Sequence, residues 1–147
     1  MASRYLDERT YAVGDVVFAE GDASTEMFIV QAGKVALTRT VAGREIFIGT
    51  LERGDFFGEM SMLTGRPRHA TCVAIAPATL LAIRSGELLI KLRRDPTLAL
   101  EMVAQMSRRM AYLEDQLVRL SEHQLESREA LDRVMAKAEF HGDDHDR

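Results

Sequence analysis

The chain has 147 residues, 46% hydrophobic and 29% charged, with a formal net charge of −4, which leaves room for one domain with a real core plus an extended element but not for a two-domain regulator. The acidic balance argues against non-specific attachment to nucleic acid or to an anionic membrane, and no apolar run is long enough to cross a bilayer. A single cysteine, Cys72, excludes an intrachain disulfide and a cysteine-ligated zinc or iron–sulfur centre built by one chain.

The first nine residues carry no apolar stretch of the signal-peptide kind, so a soluble, cytoplasmic chain is expected. Between residues 10 and 84, short apolar or alternating runs are separated by turn chemistry every several residues, the signature of a small β barrel or sandwich. Runs at 16–19, 27–30, 35–40 and 45–51 predict consecutive antiparallel strands, with Gly14, Gly21, Gly33, Gly43 and Gly54 in the turns. Two more strands are predicted at 71–76 and 79–84, divided by Pro77. Cys72 alternates with apolar positions there and reads as a packed strand residue, not a redox switch.

Ser85 is expected to cap a first helix. Asp95-Pro96 then announces a second, since aspartate accepts from the first helical amides and proline at the first position loses no hydrogen bond. That helix meets no proline and no glycine before Gly142. Val103, Met106, Met110, Leu113, Leu117 and Leu120 advance along it in steps of three and four, a coiled-coil seam that continues through Gln124 and Ser127 to Leu131 and Val134. The seam is about 47 Å long at helical rise. Near Val103 and Met106 the helix is expected to pack on its own barrel; beyond Leu113 a second helix should cover it, in a parallel homodimer. Residues 139–147 read as a disordered acidic tail, in which His141 and His145 do not make a metal site.

The densest chemistry lies at residues 56–71. Gly58 lets the backbone turn into a short helix whose first amides lack intrahelical acceptors, Glu59 stands in that first turn, and Arg68 returns after a Gly-Arg-Pro turn with a donor fork suited to phosphate. Taken singly, Glu59 and Arg68 could be a surface ion pair of under about 1 kcal/mol, Gly58 a turn glycine and Pro67 a loop stiffener. Together, Phe57-Gly58-Glu59, Met60-Ser61, Pro67-Arg68 and Ala70-Thr71 resemble, in order and spacing, the phosphate-binding cassette of cyclic-nucleotide-binding domains. These are the sensor modules of catabolite activator proteins, cyclic-nucleotide-dependent kinases and nucleotide-gated channels. The resemblance covers about residues 10–120.

It implies an α+β fold: an antiparallel, jelly-roll-like β-roll with flanking helices and a long C-terminal dimerisation helix. The β-roll would occupy 1–94, the cassette 57–71 and the helix 95–138. It implies that Arg68 holds the phosphate oxygens with amides at the helix start and at Ala70, that Gly58, Met60 and Ser61 shape that cradle, and that Glu59 accepts from the ribose 2′-hydroxyl. Leu37, Ile48 and Gly49 would line the sugar and base side. His69 replaces the small or hydroxyl residue usual after the arginine, where a hydroxyl is associated with guanine contact, so cAMP is favoured over cGMP. The run 105–110 resembles the helix of catabolite activator proteins and aligns Arg109 with an arginine that pairs with Glu59, and Leu113 and Glu114 with the positions that meet adenine. By heptad position Arg109 also faces Glu114 across a parallel dimer.

The function implied is a non-enzymatic sensor, with a cyclic mononucleotide as regulatory ligand, that signals through a homodimer to an unidentified effector protein. No helix-turn-helix follows Val134, so direct DNA binding by this chain is not expected, and neither is a catalytic or metal centre. The rival reading is a ligand-independent dimerisation or docking module that keeps the same fold.

Overall fold

The computed structural model describes residues 7–142, with side chains through residue 139. Its elements in order are β1 (Asp7–Tyr11), β2 (Val16–Phe18), β3 (Glu26–Ala32), β4 (Lys34–Val41), β5 (Arg44–Glu52), β6 (Phe56–Phe57), α1 (Glu59–Thr64), β7 (Thr71–Ala74), β8 (Ala78–Arg84), α2 (Ser85–Arg94) and α3 (Pro96–Gly142). The strands form two four-stranded sheets, β1-β8-β3-β6 and β2-β7-β4-β5, antiparallel throughout. This is the expected β-roll with flanking helices and a long C-terminal helix. Among the described residues no helix is long and apolar enough to cross a membrane.

Their spacing predicts consecutive antiparallel pairing, and the strands do not pair that way. Of chain neighbours only β4 and β5 form a hairpin; elsewhere the chain passes from one sheet to the other. Each strand has one apolar face to bury, and crossing between two facing sheets buries it where a flat meander would not. The tightest crossing is a single residue, Gly33, between β3 and β4. Its φ is +82°, and a Cβ there would lie 2.0 Å from the Pro77 carbonyl oxygen. The return crossing from β7 to β8 lies against it, with the Ile75 and Ala76 amides donating to the Lys34 carbonyl at 3.0 and 3.3 Å.

Two strands went unpredicted. β1 is charged and carries no alternation, yet its full length pairs with β8. β6 has two residues and exists because Phe56 and Phe57 pair with Ile29 and Phe28. The core between the sheets is built on Phe28, Val30, Val35, Leu51, Phe57, Cys72 and Leu80. At one end of it Phe18, Phe28 and Phe57 cluster, with ring centroids 5.3 to 6.0 Å apart. Cys72 is fully buried and its thiol is pushed up to about 12 by that burial, so it stays protonated and unreactive.

The helix starts differ by one residue from expectation at α2. Arg84 is still extended at the end of β8 and takes the N-cap, its amide donating to the Glu87 carboxylate at 3.3 Å, and Ser85 is already helical. Asp95 caps α3 as expected, accepting from the Thr97 amide at 3.2 Å. α3 continues to Gly142, so residues 139–142, expected in the tail, are helical. The good helix formers Lys137, Ala138 and Glu139 meet no breaker before that glycine. The remainder of the expected tail, and the side chains of His141 and His145, lie outside what is described. The chain divides into two compact units between Met102 and Val103, past the expected boundary at 94. Met102 is buried, whereas Val103 is 57% exposed. A helix turns 100° per residue, so one position moves the buried face off the seam residue that was expected to pack.

Gly33→Ala should cost about 3 kcal/mol or more, because left-handed strain and collision with backbone add. Gly14 has φ +89° but open space around it, and Gly14→Ala should cost about 1 kcal/mol. Urea unfolding of both variants checks the difference; equal losses would mean that the crossing imposes no steric constraint.

Candidate functional site

α1 begins because Gly58 adopts φ +80° and ψ 1°, and it ends at Gly65, whose amide donates to the Ser61 carbonyl at 2.9 Å. A Cβ on Gly58 would come within 2.7 Å of Arg68 Nη1. Glycine is therefore required twice over here, for the left-handed turn and for the approach of the arginine. In the first turn Glu59 and Ser61 point inward and are buried, and Met60 is turned out and half exposed.

Arg68 returns through the 65–67 turn and is strapped by its backbone to the segment before β3. Its amide donates to the Asp22 carbonyl, and its carbonyl accepts from the Gly21 amide, each at 2.8 Å. The residue is only 3% exposed. Nη1 donates to the Gly58 carbonyl at 2.7 Å, and Nη2 donates to Ser24 Oγ and to the Glu26 carbonyl, each at 2.6 Å. The guanidinium carbon lies 4.2 Å from the Phe18 ring centroid and 5.8 Å from that of Phe28, a cation–π floor. Nε is buried with no hydrogen-bond partner among the described residues.

The partners of this cation are neutral oxygens and rings. The carboxylate of Glu26 is taken bidentately by Arg9, at 2.9 and 3.0 Å. Burial pushes the Arg68 pKa down, against the opposing pull of Glu26, Asp22 and Glu59, yet an arginine keeps its proton at any ordinary pH. A charged donor fork with one orphan N–H in a dry setting suits a small anion.

The other expected residues are distributed unevenly. Ala70 is fully buried beside Arg68 and His69 is half-buried between them. On the sheet, Leu37 pairs with Gly49, and the register shifts immediately afterwards so that Thr38 faces Phe47. Ile48 occupies that bulge and is 41% exposed, while Leu37 and Gly49 stand opposite each other. Arg109, Leu113 and Glu114 belong to the second unit. There Arg109 is half-buried, with Nη2 3.5 Å from Gln105 Oε1, and Leu113 and Glu114 are exposed, as are Met110, Leu117 and Leu120; Met106 is half-buried.

Sequence reasoning missed Ser24, Glu26, Arg9 and Phe18. A hydroxyl just after the Gly21-Asp22 turn was the only local signal, and nothing in the spacing links Ser24 to an arginine 44 positions on.

A family model described as the cyclic nucleotide-binding domain matches residues 8–95. The chain belongs to the cyclic nucleotide-binding domain family. It is 34% identical over 131 residues to a cyclic AMP receptor protein of Thermus thermophilus, covering 88% of this chain and 61% of that protein. A cAMP-dependent protein kinase regulatory subunit of Mycosarcoma maydis is 42% identical over 74 residues, half of this chain and 14% of that one. Among solved structures, the Thermus thermophilus catabolite activator protein superposes with a TM-score of 0.71 at 36% identity, covering 80% of this chain and 55% of that one. The chain thus spans less than two thirds of the length of these relatives. The matched region contains both sheets, α1 and Arg68 with its partners, so the buried arginine sits within the domain that defines the family.

Ser24→Ala removes an acceptor from a buried cation and should destabilise the fold by about 1 to 2 kcal/mol. The neighbouring exposed Thr25→Ala should change stability by less than about 0.5 kcal/mol. Chemical denaturation of the two variants makes the comparison; indistinguishable midpoints would remove Ser24 from the support of Arg68.

Proposed function

We propose that this protein is a non-enzymatic cyclic nucleotide sensor, with cAMP preferred over cGMP, that acts as a homodimer and passes its signal to a partner protein. The observation that carries the reading is Arg68: a buried guanidinium on an aromatic floor, held by neutral oxygens, with Nε unpartnered among the described residues. A cyclic phosphodiester brings the single negative charge that this arrangement lacks. Glu59, buried in the first turn of α1, takes the ribose 2′-hydroxyl, while Ala70 permits close approach of the phosphate. Leu37 and Gly49 form the sugar side, with Ile48 at the bulge.

The cAMP preference rests on His69, which lacks the hydroxyl associated with guanine contact, and on the cAMP-related names of both relatives. On α3 the reading retains Arg109, Leu113 and Glu114 as the ligand-facing candidates of the bound state. The homodimer rests on α3 as well: Met110, Leu113, Leu117, Leu120, Leu131 and Val134 are each 58 to 65% exposed at coiled-coil spacing, and a second parallel copy of the same helix would cover them.

Arg68→Ala should weaken cAMP binding by about 3 to 5 kcal/mol, and Glu59→Ala should erase discrimination between cAMP and its 2′-deoxy form. Calorimetry on protein stripped of carried-over nucleotide by unfolding and refolding measures both. Absence of binding by wild type to either cyclic mononucleotide would favour the docking-module reading. The dimer has its own check in sedimentation: a Leu117→Lys, Leu120→Lys double variant should sediment as a monomer at concentrations where wild type is dimeric, and an unchanged dimer would place the interface elsewhere.

A further inference from the structure

Arg9 on β1 takes the Glu26 carboxylate with both ends of its fork, Nη1 donating to Oε1 at 2.9 Å and Nη2 to Oε2 at 3.0 Å. β8 lies between β1 and β3 in the sheet, so the pair spans the middle strand. Nη2 of Arg9 also donates to Asp7 Oδ2 at 2.7 Å. The same Glu26 meets the other arginine through its main chain, its carbonyl accepting from Arg68 Nη2 at 2.6 Å. Both guanidinium carbons lie 5.8 Å from the Phe28 ring centroid. Glu26 thus serves two cations, giving its carboxylate to one and its carbonyl to the other.

Reach does not fix that division. The Glu26 side chain starts from the residue whose carbonyl Arg68 already holds, and among the charges acting on Arg68 that of Glu26 is the largest. Arg68 also keeps one donor, Nε, buried and without a hydrogen-bond partner among the described residues. A carboxylate released by Arg9 would find there a cation short of negative charge, in surroundings where water does little to weaken the attraction. It would be an anion of the chain itself, in competition with an anionic ligand.

We propose that Arg9 is a positioning residue for the ligand site: it holds the Glu26 carboxylate on the sheet, so that the negative charge Arg68 accepts is the phosphate of the bound cyclic nucleotide. The inference rests on the ligand reading above. A part in the fold alone would give a different pattern. Arg9 and Glu26 are two halves of one ion pair, and a pair that served only to fix β1 would be broken alike by losing either half. As a guard on Arg68, the two halves have opposite effects. Without Arg9 the carboxylate competes with the phosphate; without the carboxylate the Arg9 cation remains and adds to the attraction for an anion.

Calorimetric titration of the full chain with cAMP, on protein stripped of carried-over nucleotide and shown to be folded by circular dichroism, tests this. Arg9→Met should bind at least about tenfold more weakly than wild type, and Glu26→Gln about twofold more tightly. The double variant should return to within about twofold of wild type, a coupling beyond the sum of the single effects. Arg9→Lys keeps the charge but loses the two-pronged grip; it should show a loss of about two- to threefold, and it replaces Arg9→Met if that variant does not fold. Arg84 stands opposite Glu26 in the β3–β8 ladder, and a released carboxylate that turned there would leave the Arg9 variants at wild-type affinity. That result overturns the proposal, as would weakening by Glu26→Gln or single effects that simply add. In each case the ligand reading stands, because wild type binds. Failure of wild type to bind cAMP or cGMP would overturn both.

Discussion

A buried arginine is the constraint around which this domain is arranged. Taking a guanidinium out of water is costly unless its donors are met, and here Nη1 and Nη2 are met by the Gly58 carbonyl, the Ser24 hydroxyl and the Glu26 carbonyl, with Nε left over among the described residues. Each of those segments is itself fixed by a separate device. Gly58 is held by its left-handed turn into α1, Ser24 and Glu26 by the straps between Arg68 and the Gly21-Asp22 turn, and Glu26 also by its ion pair with Arg9 on β1. With the Phe18 ring of β2 beneath it, the guanidinium touches both sheets and the start of α1.

The same arrangement sets two arginines in contrasting surroundings. Arg9 and Glu26 neutralise each other at a partly exposed position on the sheet, where hydrogen bonds to Glu26 and Asp7 push the Arg9 pKa up. Arg68 is buried, and that burial pushes its pKa down against the opposing pull of Glu26, Asp22 and Glu59. Two arginines of one fold are thus driven in opposite directions, one by hydrogen bonds to carboxylates and the other by burial. The buried one, hydrogen-bonded to neutral oxygens, is the one that suits an anionic ligand.

Sequence reasoning reached the strands with strong apolar alternation, the long helix and the cassette, since each is encoded by local signals: period-two or heptad patterning, turn glycines, and Asp-Pro at a helix start. It failed where pairing is set at a distance. β1 has no apolar pattern and is a strand because β8 offers it an edge. The expected order of consecutive hairpins gave way to crossings at Gly33 and Pro77, because burial between two sheets outweighs the short connection. In the site, Gly58, Glu59, Arg68, His69 and Ala70 were readable as a contiguous motif. Ser24, Glu26 and Phe18 were not, because they reach Arg68 from 42 to 50 positions away.

By itself, the sequence determined the family-defining motif, the antiparallel β class and the apolar seam on α3, because residue type and spacing act over a few neighbours and survive any tertiary arrangement. Only the tertiary structure decided that Arg68 is buried on an aromatic floor with neutral oxygens for partners, and that Glu20, in the turn after β2, reaches the Thr40 amide and Arg39 on β4. Burial and the field of distant charges set what an ionisable group does, and both exist only once the chain has crossed between its sheets.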